Sequence, residues 1–193
     1  MLDLDRHTIE EIRAGNTRRY AQLVDRHKDR AMTLALRLTG SREEAEELLQ
    51  DAFLRAFKNL GQFRGDAKFA TWFYRILYNL CMTKISRRNS KSETLTIEDR
   101  SGLDNIFVDE EEPTIHQKLE QEEFLEMVSR EIDDLPEKYK SAVLLFYVQE
   151  LSYEDICTVQ NLPLGTVKTN LFRGRNLLRE RVMKKVKGEM RFV

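Results

Sequence analysis

The sequence holds only three prolines and eight glycines among 193 residues, so little stands in the way of long helices. Its two cysteines, Cys81 and Cys157, lie far apart with no CxxC partner, and its three histidines, His7, His27 and His116, are scattered. That scarcity argues against a disulfide framework and a zinc site, and no metal ligand is assigned. No apolar run approaches the roughly 20 residues of a membrane span. The polar, acidic start MLDLDRHTIEEIR does not read as a signal peptide, and a cytoplasmic protein is the expectation. P-loop, HExxH and GxSxG patterns are missing, so the chain is read as a non-enzyme with no catalytic residue and no cofactor.

What the chain does contain is helix-forming material: 41% hydrophobic and 34% charged residues, with a formal net charge of −1. That near-neutral total hides a pattern. Residues 1–90 carry 17 Lys and Arg against 12 Asp and Glu, and residues 135–193 carry 11 against 6. Between them, residues 91–113 carry 2 against 8, and residues 114–134 carry 2 against 7. Two basic lobes therefore flank an acidic middle, an arrangement that lets a polyanion touch both ends.

Apolar spacing predicts an all-α fold of two small helical domains, residues 1–90 and 114–193, joined by an acidic flexible linker over 91–113. Thr8 to Glu11 fits a capping box opening a short helix, and a longer helix spans about Thr17 to Thr39, stopped by Gly40. Ser41 and Glu44 form a second capping box. The helix that follows places Ala45, Leu48, Leu49, Ala52, Phe53, Ala56, Phe57 and Leu60 on a core face. Its other face, with Glu43, Glu46, Glu47, Gln50, Asp51, Leu54 and Lys58, is acidic around one exposed leucine. The linker, polar and rich in Ser, Thr and Asp, shows no sustained period, and its 23 residues from Lys91 to Pro113 can extend to roughly 75 Å.

The stretch FRGDAKFATWFYRILYNL, residues 63–80, has six aromatic residues beside two arginines and a lysine. A helix starting at Asp66 would set Phe69, Trp72, Phe73, Ile76, Leu77 and Leu80 on one packing face, with Trp72 as scaffold. A second stripe, Thr71, Tyr74, Arg75, Tyr78, Asn79 and Met82, mixes aromatic, cationic and amide groups. Neither a plain core nor a plain solvated face favours that mixture.

Residues 151–182, LSYEDICTVQNLPLGTVKTNLFRGRNLLRERV, have the pattern of a helix-turn-helix. Ser152 caps its first helix, Asn161 holds the turn position that tolerates positive φ, and Pro163 opens its second helix. Cys157 reads as a packing residue. Leu164, Val167 and Leu171 are expected to face the first helix, leaving Thr166, Lys168, Thr169, Asn170, Phe172, Arg173 and Arg175 outward or at the edge. Cations for phosphates, Thr and Asn for base edges and Phe for a thymine methyl suit a major groove.

Taken together, SREEAEELLQDAFLRAFKNL, FRGDAKFATWFYRILYNLCMTKISRR and LPEKYKSAVLLFYVQELSYEDICTVQNLPLGTVKTNLFRGR resemble the bacterial sigma-70 factors, in the extracytoplasmic function (ECF) group that keeps only domains 2 and 4. The resemblance implies a transcription initiation factor that binds core RNA polymerase. It implies that Glu46, Glu47, Gln50, Asp51 and Leu54 meet the polymerase clamp helices. Phe63, Arg64, Asp66, Lys68, Tyr74, Arg75, Tyr78 and Asn79 would hold the melted strand of the −10 promoter element. Thr166, Lys168, Thr169, Asn170, Phe172 and Arg173 would read the −35 element as duplex. Asn170 stands where the family pattern has arginine, and Gly174 where it often has alanine. An anti-sigma protein is the further partner implied. A stand-alone helix-turn-helix regulator of duplex DNA is the alternative reading.

Overall fold

A computed structural model of the chain describes residues 4–89 and 115–189. The acidic linker, residues 91–113, lies outside the described residues, as does Thr114. Among the described residues every regular element is helical and none is a strand.

The first lobe begins with α1, Leu4–Arg13, which starts before the expected capping box. Thr8 sits inside this helix, buried, and its hydroxyl donates to the Leu4 carbonyl at 2.8 Å instead of capping. A short 3₁₀ turn, Thr17–Arg19, leads into α2, Tyr20–Thr39. Gly40, at φ 72°, ends α2 by donating its N–H to the Leu36 carbonyl at 2.8 Å, the left-handed cap that favours glycine. Helix α3, Arg42–Asn59, is capped by Ser41, whose hydroxyl accepts from the Glu44 N–H at 3.4 Å. A cap of this kind stabilises a helix by about 1 kcal/mol. Helix α4, Phe69–Asn89, begins three residues later than expected, with the Lys68 carbonyl accepting from the Trp72 N–H at 3.2 Å. The delay has a cause in packing: Phe63 is buried, and the chain must turn at Gly65, φ 80°, before a helix can start.

The lobe's core is aromatic. Phe53 of α3 stacks on Phe73 of α4 with centroids 4.4 Å apart, and Phe69, Leu77 and Cys81 extend the same buried face. Leu23, Leu34 and Ala35 of α2 close it from the other side. Trp72 is half-buried, tilted against Phe63 at 5.2 Å and Phe69 at 5.8 Å. Phe57 departs from the expected core face: it meets Tyr20 edge-on at 4.8 Å yet remains 41% exposed near the end of α3.

The second lobe comprises α5, Ile115–Asp133; α6, Glu137–Val143, continued by a π turn at Leu144–Val148; α7, Tyr153–Gln160; and α8, Leu164–Glu189. Ser152 caps α7 by accepting the Asp155 N–H at 3.1 Å. Asn161 ends α7 in the left-handed region at φ 54°. Val143, Leu144, Leu145, Ile156, Val159, Val167 and Leu171 form the core. Leu164, at the first position of α8, is 41% exposed, so the contact with α7 is made one turn later by Val167 and Leu171. Gly174 does not interrupt α8. A Cβ there would come within 2.9 Å of Val143 Cγ2, so glycine lets α6 and α8 approach closely.

The two lobes pack on each other, chiefly through α4 and α7, with α2 resting on α6 and the π turn.

Candidate nucleic-acid and polymerase interfaces

On α8, Thr166, Lys168, Thr169, Phe172 and Arg173 are exposed, and Asn170 is half-buried at the edge. Five of the six expected duplex-reading residues therefore lie open on one helix. Phe172 keeps 42% of its surface exposed, and the Lys168 ammonium lies 5.9 Å from the centroid of the Tyr153 ring. Tyr153 in turn stacks on Phe146 at 5.1 Å, and both line a small groove with Phe172 and Arg175. The sequence reading left out these two rings, because only the packing of α7 on α8 brings them beside the recognition face.

The −10 set divides. Arg64, Asp66 and Lys68 are exposed on the loop before α4, and Arg75 and Asn79 are exposed on the helix. Phe63 corrects the expectation of a loop ring facing DNA: it is buried against Phe69 and Trp72. The stripe that looked like an open surface is largely covered. Tyr74 is 2% exposed, and burial pushes its phenol up to about 12. Tyr78 is half-buried, its phenol raised above its ordinary value by burial, with the side chains of Ser141 and Gln160 of the second lobe beside it. Thr71 is fully buried and donates to Asp155 Oδ1 at 2.7 Å. The physical reason is α7, which lies along this flank of α4.

Polar pairs also join the lobes. Arg30 pairs with Glu150 at 3.0 Å, and its carbonyl accepts from Gln149 Nε2 at 2.9 Å. Arg37 donates to the Ser129 carbonyl at 3.2 Å and reaches Asp133 at 3.4 Å. The Oε1 atoms of Gln149 and Gln160 are buried with no protein partner.

The acidic stripe of α3 is outward. Glu46, Glu47, Gln50 and Leu54 are exposed and Asp51 is half-buried. Glu46 pairs with Arg42 at 2.9 Å, Asp51 with Arg55 at 2.9 Å, and Glu47 with Lys84 at 3.3 Å. Leu54, 53% exposed, lies with Gln50, Phe53 and Phe57 on one side of an open apolar groove of about 600 Å³, faced by Tyr20, Ala21 and Val24 of α2. Phe57 was missed as a surface residue because its three-four spacing places it on the core face.

Two helical lobes, the second ending in a helix-turn-helix whose outer face carries Lys168 and Arg173, define a class of DNA-binding protein, and comparison with known families narrows it. Family models for Sigma-70 region 2 and Sigma-70 region 4 match residues 23–91 and 125–178. The chain is 32% identical over 183 residues to the ECF RNA polymerase sigma factor SigW of Bacillus subtilis, covering 90% of this chain and 94% of the relative. It is 33% identical over 178 residues to the RNA polymerase sigma-H factor of Pseudomonas aeruginosa, covering 90% and 91%. Among solved structures, the sigma factor RpoE of Bartonella quintana, in complex with the anti-sigma factor NepR, is similar in fold, with a TM-score of 0.62. That likeness covers 85% of this chain and 96% of that one at 21% identity. The chain belongs to the sigma-70 family of RNA polymerase sigma factors, in its ECF group. Among the described residues no helix is long and apolar enough to cross a membrane.

Proposed function

We propose that this chain is a transcription initiation factor that binds core RNA polymerase and directs it to particular promoters, acting in the cytoplasm by binding rather than by catalysis. The observation that carries the reading is the open α8 face, where Thr166, Lys168, Thr169, Phe172 and Arg173 stand exposed on a helix placed by a capped helix-turn-helix. Such a face reads duplex in the major groove and serves the −35 element. The groove beside Leu54 takes an apolar knob of the polymerase clamp helices, and the acidic rim of Glu46, Glu47 and Asp51 meets their cations. The loop and flank of α4 hold the opened −10 strand, where a base stacked on a ring gains roughly 1–3 kcal/mol. Residues 1–90 form the polymerase-binding and −10 domain, residues 114–193 the −35 domain, and residues 91–113 the acidic connector. The complex of the RpoE relative with an anti-sigma factor supports an inhibitor of that kind for this chain.

The test is transcription in vitro with core polymerase on genomic fragments. Promoter-specific transcripts that appear only with the chain are expected, and their absence across the genome would overturn the reading. Duplex binding of full affinity without polymerase, and no transcripts with it, would favour a stand-alone regulator.

A further inference from the structure

Helix α1 carries none of the residues assigned to DNA or polymerase, yet one of its side chains reaches the approach to the −10 loop. Arg13, the last residue of α1, donates from a single nitrogen, Nη2, to the Leu60 carbonyl at 3.0 Å and also to the Phe63 carbonyl. We infer that Arg13 is a positioning residue for promoter melting: it braces the turn that hands the chain from α3 to the loop, and so presets Arg64, Asp66 and Lys68 for unpaired bases. The inference rests on the reading of that loop as part of the −10 site.

The loop has little else to hold its shape. Its backbone enters with the Phe63 N–H on the Leu60 carbonyl at 3.3 Å and leaves with the Lys68 carbonyl accepting from the Trp72 N–H at 3.2 Å. Among the described residues, 64–67 make no backbone hydrogen bond between those two points. Arg64, Asp66 and Lys68 are exposed, and Gly65 bends the chain at φ 80°. Such a segment samples many shapes unless its ends are fixed. At the entry two anchors meet on one residue: the Phe63 ring is buried against Phe69 and Trp72, and the Phe63 carbonyl takes Arg13. The ring fixes where Phe63 sits. The guanidinium fixes which way its peptide plane points, and that plane sets the direction in which Arg64 leaves.

The brace is itself well held. Ile9 and Ile12 of α1 are buried, Asp5 pairs with Arg26 at 2.9 Å and meets His27 Nε2 at 2.8 Å, and the Thr8 hydroxyl accepts from Arg26 at 2.6 Å. Glu11 adds a pair with Arg19 at 3.2 Å. A cation also suits this place, because the Leu60 and Phe63 carbonyls follow the C-terminal end of α3 and its 3₁₀ turn, where carbonyl dipoles gather negative potential. A loop preset in this way binds with an apparent affinity set by the fraction of molecules already in the competent shape.

The test uses the full-length chain in holoenzyme with core polymerase, on a promoter found by the transcription assay, and follows opening by the permanganate reactivity of thymines in the −10 element. Arg13→Met keeps the reach of the side chain without its donors, and Arg13→Lys keeps donors and charge. Arg13→Met should open the promoter roughly tenfold more slowly while core binding stays at the wild-type level, and Arg13→Lys should recover most of the rate. Because Arg13 acts through the loop, its loss should add little in a chain that already carries Arg64→Ala and Lys68→Ala. Normal opening by Arg13→Met, or full additivity in that cycle, overturns the inference. A parallel fall in core binding overturns it too, since Arg13 would then be a general staple of the lobe. The reading beneath is checked by the Arg64→Ala and Lys68→Ala pair alone. Slow opening by that pair keeps the loop as a −10 site whatever Arg13 does, whereas normal opening rejects the site and the brace with it.

Discussion

Helices α4 and α8 carry similar side chains to opposite fates. Each turns aromatic, cationic and hydroxyl or amide groups away from the core of its own lobe, yet α8 leaves Phe172 and Lys168 in solvent while α4 hides Thr71 and Tyr74. The difference comes from what lies next to each helix. The flank of α4 is met by α7, the first helix of the helix-turn-helix in the other lobe, whereas the outer face of α8 lies opposite its core contacts Val167 and Leu171 and keeps Phe172 and Lys168 exposed. A mixed polar and aromatic stripe thus marks a surface meant for contact, without saying whether the contact is a nucleic acid or the protein's own second half.

The contrast can be broken most forcefully at α8. Replacing Thr169 and Arg173 together with alanine removes two proposed groove contacts, each worth about 1–3 kcal/mol. Promoter-specific transcription in vitro should fall roughly a hundredfold, while core polymerase binding, measured by gel filtration, stays. Leu54→Glu should do the reverse. Core binding should weaken at least tenfold by fluorescence anisotropy, with the melting temperature unchanged because Leu54 is exposed.

Gly174→Ala sharpens the comparison from inside α8. Its Cβ would press on Val143 Cγ2, and overpacking of this kind costs about 1–3 kcal/mol, to be read as a lower thermal midpoint by calorimetry. The smallest effect is set by pH on the α4 side. Burial raises the Tyr74 phenol from its ordinary value of 10.0 to about 12. The stability that comes from keeping it neutral is fully present below its unfolded value and is lost as pH rises through the folded one. Burial raises the Tyr20 and Tyr78 phenols as well, so alkaline titration followed by tyrosinate absorbance should show more than one tyrosine ionising late, Tyr74→Phe should remove one of them, and the lobes should separate in the same window by small-angle X-ray scattering. Ionisation near the ordinary value with the scattering curve unchanged would place Tyr74 in solvent.

Local signals were the legible ones. Ser41, Gly40, Ser152 and Asn161 announce helix ends through bonds to residues three to five positions away, so the sequence carries both partners side by side. The aromatic face of Phe69, Phe73 and Leu77 was legible for the same reason, since its period is a property of one helix. The cover over Thr71 was not, because its partner Asp155 is 84 residues away. Phe57 and Leu164 erred alike: helical spacing gives direction around an axis but not where the neighbouring helix ends. The start of α4 was misplaced because Asp66 offers a good cap, while the burial of Phe63 holds the chain in a turn for three residues more.

One small clasp has a large reach. From the end of α1, Arg13 extends its guanidinium to the carbonyls of Leu60 and Phe63, at the threshold of the loop that carries Arg64, Asp66 and Lys68. The region 2 match begins at residue 23, so this hand reaches in from a helix that precedes the matched segment. The backbone that leads into that loop is thereby fastened by a side chain 47 to 50 positions earlier, so whatever loosens α1 loosens the loop with it, although the two never meet along the sequence.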